Sequence, residues 1–188
     1  MRKIAAGLFI SLDGVIEAPH EWHFPYFNDE MGEAVDRQMM SAECMLLGRV
    51  TYQEFASYWP DKTEDDTEGA GYMNNTPKFV VSTTLDSVDD WQNTTLIKGD
   101  FVEEITRLKQ QDGEHIGVTG SATLVRSLLH HGLLDELHLL VHPIVVGRGK
   151  HLFPDGTETM PLKLVDSRTL STGVLALTYA LEGGERAG

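Results

Sequence analysis

Cysteine is nearly missing from this sequence. Cys44 stands alone among 188 residues, so no disulfide can close within the chain, and stability has to come from a packed core. A chain of this length with 41% hydrophobic residues can build one without staples. Positive charge is scarce too: 15 Lys and Arg against 29 Asp and Glu leave a formal charge of −14. Such a surface repels polyphosphate in bulk, so nucleic acid is not an expected partner, although one phosphate compound can still bind where donors gather locally. No apolar run is long enough to span a bilayer, and no membrane partner is expected. Met1-Arg2-Lys3 followed by an apolar stretch from Ile4 to Ile10 resembles the front of a secretion signal. It runs into Ser11-Leu12-Asp13-Gly14 with no small-residue cleavage site, so it reads as a buried first strand, and the expected compartment is the cytoplasm.

Several short motifs are missing as well. There is no G-x-G-x-x-G, and Gly147-Arg148-Gly149-Lys150-His151 fails as a P-loop because His151 stands where Ser or Thr is needed. His130, His131, His138 and His142 lie close together, with His138 and His142 on one strand face by their even spacing. Yet no H-E-x-x-H, no H-x-E with P-C-x-x-C and no cysteine pair accompanies them, so no metal is expected.

What is present alternates between two periods. Residues 3–11 read as a strand ending at the turn pair Asp13-Gly14, and Trp22-His23-Phe24-Pro25-Tyr26-Phe27 as an aromatic loop. Residues 29–40 read as a helix with Met31, Ala34, Val35 and Met39 on one side. Cys44-Met45-Leu46-Leu47 reads as a strand buried on both faces and ending at Gly48. A helix over 51–59 follows, then an acidic stretch over 61–71 that reads as a mobile surface loop. Strands are expected at 78–82 and 94–98, and Asp100 should cap a helix reaching Gln110. A strand over 115–119 and a helix over 121–131 complete the alternation. After them come a long apolar stretch over 134–146 and a hairpin of 162–168 with 174–181. The expected fold is α/β, a three-layer α/β/α arrangement on a mostly parallel mixed sheet with an antiparallel C-terminal hairpin. The length suits one domain over 1–182, with 183–188 as a flexible tail.

In open sheets of this kind ligands sit beyond the carboxyl ends of the strands, so the strand-to-helix turns are the places to search. Leu46-Leu47-Gly48-Arg49-Val50-Thr51 leaves a buried strand and opens a helix. Gly48 permits close backbone approach, Arg49 adds a forked cation and Thr51 a hydroxyl. Gly117-Val118-Thr119-Gly120-Ser121-Ala122-Thr123 repeats the design, and free helix N-terminal amides favour an anion at both turns. Ser82-Thr83-Thr84 offers hydroxyls at the same sheet edge. Each turn alone is equally well explained by turn chemistry; together they describe one anion site.

The ordered set of these motifs resembles a known family. Ser11-Leu12-Asp13-Gly14, Leu47-Gly48-Arg49-Val50-Thr51-Tyr52, Val80-Val81-Ser82, Val118-Thr119-Gly120-Ser121-Ala122-Thr123-Leu124, Asp135-Glu136-Leu137 and Pro143-Ile144-Val145-Val146-Gly147-Arg148-Gly149 are similar to the reductase domain of bacterial riboflavin-biosynthesis deaminase/reductases, in the dihydrofolate reductase-like superfamily. The likeness is to stand-alone members. It implies NADPH as cofactor. Gly48, Arg49 and Thr51 would approach the adenosine and phosphate part, and Ser82 and Thr83 the 2′-phosphate. Thr119, Gly120, Ser121, Ala122 and Thr123 would cradle the pyrophosphate. The resemblance also turns Asp13 toward the nicotinamide and substrate, as a proton source or simply as an Asp-Gly turn residue. It places Asp29 or Glu30 near the first-helix carboxylate of the folate enzymes. Trp22 and Phe27 would either stack on a flat heterocycle or plug the sheet edge. Only Arg37 is basic between Asp13 and Arg49, which speaks against a phosphoribosyl substrate.

Three readings follow from the sequence. The first is an NADPH-dependent reductase of a small, pteridine- or aminopyrimidine-like molecule. The second is a non-catalytic nucleotide-binding or regulatory module on the same fold. The third is a homodimer in which the stretch over 137–146 pairs across a two-fold axis.

Overall fold

Nine residues, Lys3–Ser11, form β1 at the middle of the sheet, with only Lys3 at its start exposed and nearly every other position buried. The computed structural model describes residues 1–38 and 42–181. After β1 come α1 (Asp29–Gln38), β2 (Cys44–Gly48), α2 (Arg49–Ala56), α3 (Ala70–Asn75), β3 (Lys78–Val81), β4 (Thr94–Ile97), α4 (Phe101–Gln110), β5 (His115–Val118), α5 (Ala122–His130), β6 (Glu136–His142), β7 (Leu162–Thr169) and β8 (Leu175–Leu181). The sheet runs β4-β3-β2-β5-β1-β6-β8-β7. Neighbours from β4 to β6 are parallel, and β8 and β7 close the series antiparallel. This is the expected mixed sheet with its C-terminal hairpin.

Helices cover both faces. On one, α4 and α5 bury Ile105, Leu108, Val125 and Leu128 against Ile4, Ala6, Leu8, Leu46 and Ile116. The other face carries two separate apolar clusters. One joins Met31 and Ala34 of α1 to Leu140, Val174 and Ala176. The other joins Tyr52 of α2 and Met73 of α3 to Met45, Leu47, Val80 and Trp91. Between them the strands present small residues: Ala5 pairs in register with Gly117, and Gly7 follows on the same side of β1. The sheet is therefore shallow where the two clusters part.

Several expected boundaries move for physical reasons. The stretch over 134–146 shortens to β6, which lies between β1 and β8. Within β6 both ladder sides are taken, by β1 and β8, so it is not an edge strand; the sheet edges are β4 and β7. Asp135 is drawn out of the ladder: its Oδ2 accepts Ile4 N–H at 2.7 Å and the Lys109 ammonium at 2.6 Å. The helix expected from Thr51 starts two residues earlier at Arg49. The segment over 61–71 is pinned rather than loose, since Glu64 accepts Gly69 N–H at 3.0 Å and the N–H of Gly71, at the start of α3. Asp100 caps α4 as expected, accepting Glu103 N–H at 2.9 Å. The expected helical residues Met39 and Met40, and the tail over 183–188, lie outside the described residues. Among those residues no helix is long and apolar enough to cross a membrane.

Lys109 is buried and its ammonium also donates to Leu133 O at 3.0 Å, so Asp135 ties α4 to the start of β1 through two charge-assisted bonds. Asp135→Ala strands a buried cation and a strand amide and should lower unfolding free energy by about 2–4 kcal/mol in urea titrations. A loss below about half a kcal/mol would show that solvent replaces the carboxylate.

Candidate functional site

β2 and β5 are neighbours, and each hands over to a helix at the same sheet edge. The two turns touch. Gly48 N–H donates to Gly120 O at 3.2 Å. A Cβ on Gly48 would sit 2.5 Å from Ser121 Oγ, and one on Gly120, where φ is +150°, would sit 2.7 Å from Thr51 Oγ1. The glycines therefore serve the contact between turns as much as the turns themselves. Ser121 caps α5, with Leu124 N–H donating to its Oγ at 3.4 Å. Other first-turn amides of α2 and α5 have no carbonyl within their own helix, and each helix dipole adds positive potential there.

Two grooves open on this junction. The outer one, about 400 Å³, is lined by Gly48, Arg49, Ser82, Thr83, Ser121 and Thr123. The inner one, about 370 Å³, takes Thr51, Thr119, Gly120, Ser121 and Ala122, then continues between apolar walls. They share Val50 and Ser121, so they adjoin at the helix N-termini. Every residue singled out in the turns for cofactor binding lines one of them. Their parts differ in kind. The exposed Arg49 donates to Gln53 Oε1 at 3.0 Å. Ser82 Oγ accepts Thr84 N–H at 3.1 Å and Leu85 N–H at 3.0 Å, so it shapes its own turn and leaves Thr83 facing outward. Thr119 Oγ1 is buried with no partner among the described residues, an orphan that a ligand's donor or acceptor would satisfy. A glycine-lined junction, free helix amides, an orphan hydroxyl and one forked cation fit an extended phosphate-bearing ligand.

The inner groove lies over the shallow part of the sheet. Gly7, Leu8 and Phe9 of β1 form its floor, with Val35 of α1 on one side and Phe55 and Trp59 on the other. Glu17 and Lys150 stand at its rim, with Lys150 Nζ 3.5 Å from Glu17 Oε1. Phe55, Trp59, Val35 and Lys150 escaped the sequence reading. The only hint was the residue spacing of α2, which turns Val50, Thr51, Glu54 and Phe55 to one side.

Asp13 has a different job from the proton source that the resemblance suggested. Its Oδ1 accepts the Ser11 hydroxyl at 2.7 Å and Val146 N–H at 3.0 Å, and its Oδ2 accepts Gly147 N–H at 2.8 Å. These bonds, the Ser11 one first, lower its pKa to about 2. The carboxylate is thus ionised at neutral pH and clasps two loops together outside the lining of the inner groove. Beside this clasp, Val15 and His151 form an antiparallel bridge.

Trp22, Phe27 and Asp29 are not brought to the groove either. Trp22 is buried, its Nε1–H donating to Glu17 O at 3.2 Å and its ring edge-on to His142 at 5.1 Å. Phe27 sits edge-on to His23, and Asp29 is exposed at the start of α1, while its neighbour Glu30 accepts Ser171 N–H at 2.7 Å. The aromatic loop plugs the sheet edge because its rings find one another and two histidines before any ligand. His138 and His142 do share a strand face. His138 meets Thr178 Oγ1 at 2.9 Å, and His142 Nδ1 donates to Leu140 O at 2.8 Å.

A parallel sheet that ends in an antiparallel hairpin, with its groove where two strand-to-helix turns meet, is a dihydrofolate reductase-like fold. Residues 2–176 match the RibD C-terminal domain family, and the chain belongs to it. Protein YyaP of Bacillus subtilis (strain 168), itself uncharacterised, is 31% identical over 185 residues, covering 97% of this chain and 96% of YyaP. Among solved structures, a Shewanella sp. PV-4 protein named for riboflavin biosynthesis superposes with TM-score 0.71 at 21% identity, covering 97% of this chain and 99% of that one. Dihydrofolate reductase from Enterococcus faecalis, solved with NADP(H), superposes with TM-score 0.59 at 14% identity over 94% of this chain and 93% of that one. At these identities the two structures establish the fold alone.

Two predictions arise from this geometry. Gly120→Ala combines a positive φ with a Cβ driven into Thr51, and should cost at least about 2 kcal/mol in urea unfolding. An unchanged midpoint would mean that the two turns can part freely. The second concerns His23, whose pKa is lowered to about 4 by burial first and by His142 and His20 second. Its folded pKa lies below its unfolded value, so the unfolded chain takes the proton first and stability falls as pH drops from 6.5 towards 4. The His23 share of the loss should reach up to about 3 kcal/mol, so His23→Phe should lose visibly less over this range, with His138 and His142, also lowered by burial, supplying what remains. Parallel pH profiles of the two proteins would refute this.

Proposed function

We propose that the protein is an NADPH-dependent reductase of a small heterocyclic, pteridine- or aminopyrimidine-like substrate, working in the cytoplasm. The observation that carries this reading is the junction of Gly48 with Gly120, where a polar outer groove adjoins an apolar inner one. Membership of the RibD C-terminal domain family and the dihydrofolate reductase-like fold support a reductase in general.

Each part of the site has a task. The glycines let a ligand's pyrophosphate come close to backbone, where the first amides of α2 and α5 meet it. Thr119 Oγ1 gains a partner there. Arg49 and Thr83, beside the turn that Ser82 shapes, face a further phosphate in the outer groove, the feature that separates NADPH from NADH. The inner groove, walled by Phe9, Val35 and Phe55, offers the reacting rings apolar surface while its mouth stays open to solvent. When bound there, NADPH supplies a hydride to an electrophilic carbon of the substrate, whose neighbouring heteroatom takes one proton from solvent. Asp13 is left out of this scheme because its carboxylate is fully engaged between loops.

The test is a fluorescence titration with each nicotinamide nucleotide. Arg49→Glu should weaken NADPH by about tenfold to a hundredfold and change NADH by less than about threefold. Equal, unchanged affinities for both would remove Arg49 from the site. Absence of NADPH binding by the wild type would overturn the reductase reading itself.

A further inference from the structure

The inner groove carries one charge that packing does not explain. α2 turns a single stripe towards it, Val50, Thr51, Glu54 and Phe55. Val50 and Phe55 suit an apolar wall, and Thr51 meets Gly120. Glu54 suits neither purpose. Its carboxylate has no ion-pair or hydrogen-bond partner among the described residues. A carboxylate next to Phe55 gives up water whenever a ring fills the groove, and only a cation or N–H donors on that ring can compensate it.

The rest of the lining sharpens the point. Lys150 is its one cation, and Glu17 neutralises that cation at 3.5 Å. Arg49 belongs to the outer groove. Two carboxylates against one ammonium leave the inner groove net negative, and the unbalanced charge is Glu54. Beyond the helix N-termini, where Glu54 stands one turn into α2, a phosphate dianion meets a carboxylate and no free cation among the described residues. Phe9, Phe55 and Trp59 meanwhile line the same groove and give a flat ring apolar surface to lie on.

We infer that Glu54 sets the substrate class: a flat, unphosphorylated ring that presents an amidine- or amine-type N–H edge to the Glu54 carboxylate. The inference rests on the inner groove being the substrate site of the proposed reductase. It concerns binding only and is measured without turnover, so the two can fail separately.

The experiment is a calorimetric titration with three matched probes, benzamidine, benzoate and phenyl phosphate, run on the NADPH-saturated and on the cofactor-free protein. Benzamidine should bind the wild type at least about tenfold more tightly than benzoate in both states, and than phenyl phosphate once NADPH fills the helix N-termini. Glu54→Gln should weaken benzamidine by about tenfold while leaving NADPH affinity in place. Glu54→Lys should reverse the order, so that phenyl phosphate binds best. Both changes fall on an exposed helical position, and thermal unfolding close to that of the wild type confirms that the variants fold. Phenyl phosphate binding the NADPH-saturated wild type as tightly as benzamidine would overturn the assignment, as would no benzamidine binding at millimolar concentration. So would a benzamidine affinity unchanged in Glu54→Gln. Loss of NADPH binding with the probe preference intact in the cofactor-free protein would overturn the reductase reading and leave the Glu54 assignment standing.

Discussion

The arrangement of this molecule depends on one contact, the meeting of Gly48 with the turn at Gly120. A side chain at either position would collide with Ser121 or Thr51, so the strand ends of β2 and β5 can close on each other only while both are glycine. Because that contact is made, α2 and α5 start from the same point and their N-terminal amides converge. Because they converge, a chain with a formal charge of −14 can still gather a local field that favours an anion.

The sheet adds the second half of the design. Polar groups collect at the outer groove, where β3 ends in Ser82 and Thr83. Apolar walls collect at the inner one, where α1 and α2 stand on either side of β1. A ligand with a charged end and a ring end is therefore oriented by position alone. Asp13 holds the loop carrying Gly147 to the end of β1, and that loop leads to Lys150 at the rim of the inner groove. It serves the site by fixing a boundary.

The backbone was the readable part of the sequence. β1 falls on the expected residues because it is one continuous apolar run, and Asp100 caps α4 because capping is local chemistry. The turns at Gly48 and Gly120 were readable for the same reason, since glycine between a buried strand and a helix is a local sign. What sequence could not give was decided between distant residues. Trp22 and Phe27 are aromatic whether they grip a ligand or pack on His142 and His23; only the tertiary arrangement chooses packing. Asp13 reads as a turn residue or an acid until the amides of Val146 and Gly147 are seen to meet it across 133 and 134 positions of sequence. Nothing in the sequence separates Glu54 from the other acidic residues; only the packing of α2 turns it to the groove.

The row of small residues at Ala5, Gly7 and Gly117 leaves two apolar clusters standing apart on a common floor. In mechanical terms the face is two separately anchored walls with a slot between them. A ring seated in the slot acts as the missing side chain of an unfinished core and couples one wall to the other. Occupancy then registers as rigidity: the ligated protein is the more stable by RT ln(1 + [L]/Kd), about 2.7 kcal/mol at a hundredfold excess over Kd. The protein's own melting curve is thereby a detector for whatever molecule the slot was shaped to hold.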